Sequence, residues 1–579
     1  MKKILSLLCV FCIFSLISCA PKQQNNILTV AIVGEAESFD PVFSYDGFTH
    51  GVLLNIYDTL IKFKGSSLTE FEPLIAQEVP TRENGLISPD GKTYVFNIRK
   101  DIKFHDGSPL TAEDAAYSLK RFLISDAVSG PSTLLLEPIL GVTSTRDAKG
   151  AITLDYKTVE EAVQVQGDKL IIKLKRPFAP LLSILARWSY VISKDWAVKN
   201  GEWDGTEATW KNYNNKGKGE SYLFDKANGS GPFMLQRWDN AAKRIYLTAN
   251  KDYILGAPKL DGVQLITVPE QSTMRLMLES GDIDIAEIAP AFTDQIADNP
   301  DLVVQDRLPR LKTDPVIFFT FNINPEANPD IGSGRLDGKG IPPDFFQDIN
   351  IRKAFAHAFD YDAFVNDSMG GKAPRACGPV PPGLASYEKS APCYSFDLKK
   401  AEEYFKKAYN GKVWENGFTF TLTYNTGSQM RQTACEILKR NIESLNPKFN
   451  IELRGVPWAS FLEKTQASKM PLWARGWIAD YPDEHNFVFP FLHSKGRYAV
   501  AQSFKDPALD ALIDEAVRST DPARRIKLYR RIQDLSYNAA AQIYTIHSPG
   551  VWVYRKEVKG FTDNPVFMGI YFYPIYKEA

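Results

Sequence analysis

The sequence has 579 residues, which is long enough for two or three domains with sizeable cores. Its hydrophobic content of 44%, with 12% aromatic residues, is typical of a globular protein. The formal net charge is -1, so the chain has no overall field that would attract nucleic acid or an acidic membrane surface. We therefore expect no nucleic-acid partner.

The first residues have the pattern of a secretion signal. Lys2 and Lys3 provide a positive start, and residues 4–17 form an apolar run of roughly fourteen residues, shorter than the ~20 that a membrane-spanning helix needs. This pattern predicts a cleaved signal peptide over residues 1–18.

The end of the run, Leu16-Ile17-Ser18-Cys19, resembles the lipobox of bacterial lipoproteins, in which the cysteine thiol is acylated and cleavage falls just before it. The resemblance implies a lipid on Cys19, followed by a flexible polar tether over residues 19–26. It also implies an extracytoplasmic protein, in the periplasm or at the cell surface, that is anchored to a membrane by its lipid. The alternative is an ordinary signal peptide in which Cys19 is incidental.

Three cysteines lie beyond Cys19. Cys377 and Cys393 flank a proline-rich loop, and in an oxidising compartment a disulfide that closes this loop could contribute about 3 kcal/mol by the chain-entropy estimate. We predict a disulfide between Cys377 and Cys393, and a lone Cys435 thiol buried on a helix. The alternative is three reduced cysteines in the core.

Short strand and helix patterns alternate along the rest of the chain, which predicts mixed α/β layers. Thr111, with Asp114 three residues later, has the pattern of a capped helix start. Apolar residues at helical spacing over 351–359 predict an amphipathic helix. Residues 200–222 and 324–344 are rich in glycine and polar residues, so each is a candidate boundary between domains.

Motifs of the common catalytic classes do not occur in the sequence, which has no G-x-S-x-G, no G-x-x-x-x-G-K-[ST] and no H-E-x-x-H. His485 and His493 could meet across a turn, but the favoured interpretation is loop histidines satisfied by their neighbours. We therefore predict no enzyme, no metal site and no cofactor, although sequence alone does not exclude a hydrolytic site.

Five stretches, in this order, resemble the extracytoplasmic solute-binding proteins of oligopeptide, dipeptide and nickel ABC importers, known as bacterial extracellular solute-binding protein family 5. The resemblance extends from about Leu28 to the C-terminus. The stretches are residues 35–63, 90–122, 229–263, 349–383 and 455–494.

The resemblance implies an α/β periplasmic-binding-protein fold with two lobes, a hinge and an extra third subdomain. Lobe I would be built from residues 27–70, 225–310 and 540–579. The extra subdomain would comprise residues 71–224, and lobe II residues 311–539. A ligand would bind in the cleft and shift the equilibrium between open and closed lobes.

Gly476-Trp477-Ile478-Ala479-Asp480 matches the family segment in which the aspartate receives the ligand's α-ammonium. An ammonium removed from water needs a well-placed opposite charge, which agrees with this role for Asp480. Gly476, Trp477 and Ala479 are expected beside it. Arg475 lies one residue away from the arginine of the oligopeptide-binding branch, so it is not assigned to a ligand carboxylate.

Further ligand contacts are implied elsewhere. Asp46, Gly47 and Phe48 resemble the lobe I strand that pairs with the ligand backbone, although the loop before them is one residue longer than the family pattern. Positions that meet the ligand in family members, or wall its pocket, correspond here to Asn322, Asn425, Trp458 and Trp477.

The function implied is that of a monomeric, lipid-anchored receptor that captures short peptides, or similar small ligands with an amine, and delivers them to the permease of an ABC importer. One alternative keeps the fold and changes the ligand to a nickel chelate, haem, a sugar or an opine. Another is a surface lipoprotein that senses peptides without transport, which the absence of neighbouring permease and ATPase genes would indicate.

Overall fold

The computed structural model describes residues 26–128, 130–147 and 149–578. The predicted signal peptide, Cys19 and all but the last residue of the predicted tether lie outside these ranges. Among the described residues, no helix is both long and apolar enough to cross a membrane.

The larger sheet has the strand Ile27–Ile32 near its centre, paired in parallel with Gly262–Thr267. Leu28 and Val30 are fully buried, as expected for a central strand covered on both faces. Helices Gly47–Ile56 and Gln271–Ser280 belong to this region. The strand order is Leu302–Leu308, Gly550–Arg555, Ile285–Glu287, Ile27–Ile32, Gly262–Thr267, Arg244–Ala249 and Phe233–Asp239.

The second sheet has the strand order Phe449–Val456, Phe418–Asn425, Leu472–Ile478, Lys312–Phe319 and Gln542–Tyr544. Phe355, on the predicted amphipathic helix, is fully buried in the adjoining core, so this prediction is confirmed. The helices of this lobe are Ile349–Ala358, Tyr361–Ala363, Leu398–Lys407, Lys412–Asn416, Gln429–Glu443, Trp458–Gln466, His485–Leu492, Arg497–Gln502, Pro507–Arg518 and Pro522–Ala539.

Two connections join the sheets, residues 309–311 and residues 545–549. Strand Gln542–Tyr544 lies on the lobe II side of the second connection, because it pairs with Lys312–Phe319. The boundary at residue 540 predicts lobe I for this strand, and the strand pairing corrects that prediction. This strand has only three residues and leads towards Gly550–Arg555 in the other sheet. The sequence therefore has no pattern that marks where the chain crosses from one lobe to the other.

The extra subdomain contains the strands Thr93–Asn97, Lys169–Lys173 and Val163–Gln166. Thr111 begins a helix, and its backbone N–H and hydroxyl both donate to Asp114, which confirms the predicted capped start. Residues 200–222 pack into this subdomain: the Trp203 ring is buried and stacks 5.5 Å from Tyr117. Its helices are Ala112–Ser125, Thr133–Leu140, Tyr156–Ala162, Leu181–Trp188 and Lys194–Lys199.

Two small hairpin-like pairs complete the strands, Ile61–Phe63 with Phe71–Pro73 and Val558–Lys559 with Tyr576–Lys577. A disulfide joins Cys377 to Cys393, with their Cα atoms 4.8 Å apart. Cys435 is a buried free thiol on helix Gln429–Glu443, as predicted.

Candidate ligand-binding site

A cavity of about 490 Å³ lies between the two lobes and the extra subdomain. Tyr45 of lobe I, helix Thr133–Leu140 of the extra subdomain and the end of strand Leu472–Ile478 in lobe II all contribute to its lining. Its volume is within the range usual for small-molecule sites. A ligand here would contact both lobes and the extra subdomain.

Asp480 lies in this cavity, in the loop after strand Leu472–Ile478, and is 3% exposed. Its Oδ2 accepts hydrogen bonds from the Tyr45 hydroxyl at 3.0 Å and from Asn486 Nδ2 at 3.2 Å. Among the described residues, no lysine or arginine nitrogen lies within 4.0 Å of its carboxylate. Burial raises the pKa of Asp480, because a carboxylate loses solvation there.

The backbone around Asp480 is fixed by the extra subdomain. Arg187 Nη1 donates to the carbonyl oxygens of Ala479 at 2.6 Å and Asp480 at 3.1 Å, and Trp188 Nε1 donates to the latter at 2.8 Å. Burial lowers the pKa of Arg187 to about 10. Its Nε and Nη2 are buried and have no hydrogen-bond partner in the described residues. Sequence reasoning missed Arg187 and Trp188, because their helix is distant in sequence from the motif that they hold.

The motif before Asp480 has a steric explanation. A Cβ atom on Gly476 would lie 2.1 Å from Asp314 Cγ, so only glycine fits there. Ala479 is buried, and its N–H donates to the Leu311 carbonyl at the hinge. Trp477 donates from Nε1 to Asn486 Oδ1 at 3.1 Å and lines the cavity.

Trp477 also lines a second, smaller cavity of about 360 Å³, together with Gly47, Phe48 and Gly476. The structure therefore brings these predicted residues to one cleft. Asp314 and Arg431 lie in the same cavity and form a two-point ion pair at 2.9 and 2.8 Å.

Asn425 is adjacent to this pair but does not line either cavity. Its Oδ1 accepts a hydrogen bond from Arg431 Nη1 at 2.6 Å. The structure therefore gives Asn425 a supporting position, from which it orients a guanidinium that does reach the cleft.

The prediction of a strand at Asp46, Gly47 and Phe48 is wrong. Asp46 is the N-cap of helix Gly47–Ile56, and its Oδ1 accepts from the Thr49 N–H at 2.8 Å. An aspartate in this position satisfies an N–H that the first helical turn leaves unpaired, which favours a helix over a strand. The residue that reaches Asp480 is Tyr45, one position earlier, in agreement with the extra residue noted in this loop.

Asn322 is not brought to the site. It is exposed and follows the end of strand Lys312–Phe319 that lies away from the cleft, where Phe319 pairs with Leu472 rather than with the Asp480 loop. A motif position near a strand does not indicate which end of the strand faces the ligand.

Trp458 is also outside both cavities. It begins helix Trp458–Gln466 and is 44% exposed. The Arg475 guanidinium lies 4.8 Å from its ring centroid and 5.0 Å from that of Tyr498. Trp458 therefore supports the cavity lining through Arg475 rather than lining the cavity itself.

Arg475, which the family resemblance does not assign to a ligand carboxylate, also lines the cavity. It is 8% exposed, and burial lowers its pKa. Its guanidinium donates no hydrogen bond to any described residue and faces the cavity between two aromatic rings. A buried cation in this condition is costly unless a ligand supplies an anion.

The family described as "Bacterial extracellular solute-binding proteins, family 5 Middle" matches residues 70–499. The dipeptide-binding protein DppE of Bacillus subtilis is 25% identical over 556 residues, which cover 94% of this chain and 91% of that protein.

Two solved structures illustrate the likeness in fold. DppA from Helicobacter pylori, in complex with the peptide STSA, superposes with a TM-score of 0.74 at 23% identity, covering 96% of this chain and 98% of that chain. NikZ from Campylobacter jejuni, in complex with Ni(L-His), superposes with a TM-score of 0.70 at 18% identity, covering 96% and 100%.

Proposed function

Because the chain belongs to the bacterial extracellular solute-binding proteins of family 5, which serve ABC importers, we propose that it captures short peptides with a free α-amine between its lobes and delivers them to a membrane permease. The observation that carries the proposal is the Asp480 carboxylate, which is buried in the cavity and has no lysine or arginine nitrogen within 4.0 Å among the described residues. A ligand ammonium would supply a cationic partner.

A peptide has charges at both ends, and the cavity has a complement to each. The ammonium would bind Asp480, and the carboxylate would bind the Arg475 guanidinium, which can form a two-point contact. Both contacts replace hydration that the two side chains lose on burial. A ligand with only one of these groups would leave the other side chain unpaired.

Binding would favour the closed form, because the ligand would join surfaces from both lobes. Tyr45 of lobe I donates to Asp480 of lobe II, and Arg187 and Trp188 hold the loop that carries it, so these contacts would support the closed form. The closed molecule would be the form that the permease recognises.

We propose further that the protein is a monomer held at a membrane by a lipid on Cys19. The support is the lipobox-like sequence Leu16-Ile17-Ser18-Cys19. Cys19→Ser should release the protein from the membrane fraction or leave it unprocessed. A wild-type protein that is fully soluble, with its N-terminus elsewhere, would contradict the anchor but not peptide capture.

Native mass spectrometry of gently purified protein should reveal a bound peptide. After removal of that ligand, dipeptides and tripeptides should raise the unfolding temperature, with a stabilisation of about 2.7 kcal/mol at one hundred times Kd. N-acetylated and C-amidated peptides are the matched controls. If no free peptide at millimolar concentration changes stability, tryptophan fluorescence or small-angle scattering, peptide capture is wrong and a chelate or sugar becomes the better candidate.

A further inference from the structure

One end of the larger cavity is formed by Glu137 and His485. Glu137 lies on helix Thr133–Leu140 of the extra subdomain, and His485 begins helix His485–Leu492 of lobe II. Their side chains meet across the cleft, with Glu137 Oε1 3.6 Å from His485 Nε2. We call this pair the Glu137 end of the cavity.

His485 is buried, with 1% of its surface exposed. Its Nδ1 is hydrogen-bonded to the Tyr481 hydroxyl at 2.8 Å, so only Nε2 is available to the cavity. Nε2 has no hydrogen-bond partner in the described residues. The Phe178 ring packs edge-on at 5.4 Å and prevents water from reaching the imidazole from that side. Burial lowers the pKa of His485 far below its usual value, so the ring is neutral.

The Glu137 carboxylate also lacks a donor. It accepts no hydrogen bond from the described part of the chain, and the nearest guanidinium nitrogen, Arg176 Nη2, is 4.0 Å away. Burial raises its pKa to about 7, because the partial attraction of Arg176 does not compensate for the lost solvation. Neither group has a hydrogen bond in the described part of the chain, and at 3.6 Å they are too far apart to form a good one with each other, so a ligand group that hydrogen-bonds to both would be favourable.

The charges around this end disfavour a second ligand cation. Arg146 and Lys495 line the same cavity, and Arg176 is beside Glu137. Among the acidic groups nearby, Asp126 accepts hydrogen bonds from Ser144 and Thr145 and lies 3.5 Å from Arg146, and Asp514 is paired with Arg518 at 2.7 Å. A neutral group that can donate and accept hydrogen bonds is the better complement.

We propose that the Glu137 end binds a neutral hydrogen-bonding side chain of the ligand, a carboxamide or a hydroxyl, on the residue whose α-amine is held by Asp480. The proposal rests on the function proposed above. His485 follows Asp480 by five positions, and Asn486, next to His485, donates to the Asp480 carboxylate, so the side chain of the first ligand residue is the one within reach. Leu134 and Phe489 provide apolar walls for its stem.

The test compares dipeptides that differ only at the first residue, in near-isosteric pairs: Asn-Ala with Leu-Ala, and Thr-Ala with Val-Ala. Calorimetric titration of ligand-free protein should give at least about tenfold tighter binding for the polar member of the asparagine pair, and a smaller preference for threonine. If all four peptides bind with equal affinity, this inference is wrong and peptide capture stands. If none binds, the proposed function fails and this inference with it.

Glu137→Leu and His485→Phe should each reduce the Asn-Ala preference to threefold or less while Leu-Ala binding stays within about threefold. Glu160→Leu, at an exposed position on the neighbouring helix Tyr156–Ala162, is the matched control and should keep the preference. If one of these variants folds poorly, Glu137→Gln serves as a second test. Because glutamine retains hydrogen-bonding groups, this variant should keep most of the preference for Asn-Ala over Leu-Ala. An unchanged preference in both Glu137→Leu and His485→Phe would overturn the assignment.

Discussion

Two regions of this molecule bury charged side chains, but the protein pairs those charges in only one of the two. Between lobe I and the extra subdomain, Arg121 donates to both oxygens of Asp40 at 2.7 and 2.6 Å and to Glu202 at 2.7 Å, and Ser221 donates to Asp40 as well. Although burial alone would raise it, the pKa of Asp40 is lowered by Arg121. This cluster is complete without a ligand.

The cleft shows the reverse. Asp480 and Arg475 are both buried, and neither forms an ion pair within 4.0 Å in the described part of the chain, although the Arg187 guanidinium is close enough to attract the Asp480 carboxylate. Burial therefore dominates: the pKa of Asp480 is raised and that of Arg475 is lowered. Burial of charge alone therefore does not identify a site. The useful criterion is whether the surrounding protein already satisfies the charge.

The largest expected effect is on stability. Arg121→Met leaves Asp40 and Glu202 as buried carboxylates without a cation, so the free energy of unfolding should fall by about 3–5 kcal/mol. Arg475→Met is the matched control: it removes a buried cation that has no carboxylate partner, and stability without ligand should be unchanged or higher. Urea unfolding of ligand-free protein decides between them. Equal losses in the two variants would remove the distinction between the regions.

The next effect is on binding. Asp480→Asn keeps the size of the side chain and removes its charge, so affinity for unmodified peptides should fall by at least tenfold, about 1.4 kcal/mol. N-acetylated peptides should bind the wild type poorly and lose little more in the variant. Calorimetry with one peptide in both forms is sufficient. If the variant and the wild type bind the free-amine peptide equally, Asp480 is not the amine site.

Arg475 should have a similar but smaller effect at the other end of the peptide. Arg475→Gln should lower the affinity for peptides with a free carboxylate by up to about tenfold, roughly 1.4 kcal/mol. The affinity for C-amidated peptides should stay almost unchanged. The effect is expected to be smaller than at Asp480 because glutamine retains hydrogen-bond donors. A loss of the same size for amidated peptides would indicate a packing role.

Much of the fold could be predicted from sequence because its signals are local. The Thr111 cap and the amphipathic helix around Phe355 follow from spacing, and the Gly476–Asp480 segment could be compared directly with a family pattern. The Tyr45 and Arg187 contacts could not be predicted in this way. They join Asp480 to residues 435 and 293 positions away in sequence, and a single sequence carries no signal for such pairs.

The smallest expected effect is a change with pH in the stability difference between Asp480→Asn and the wild type. Since the pKa of Asp480 is raised in the folded protein above the ~3.9 of an unfolded aspartate, its ionised form costs stability, and this cost appears as pH rises through the folded pKa. Asp480→Asn should therefore be more stable than the wild type at pH 7 without ligand, and this advantage should disappear as pH falls to about 4.

Asp40 should affect stability in the opposite direction. Its lowered pKa gives stability that is present above pH ~3.9 and is lost as pH falls through the folded pKa. Asp298→Asn, at an exposed position, is the control and should show no such trend. Urea unfolding between pH 4 and 8 measures the difference, and an Asp480→Asn advantage that does not change with pH would show that the Asp480 carboxyl is not desolvated in the cleft.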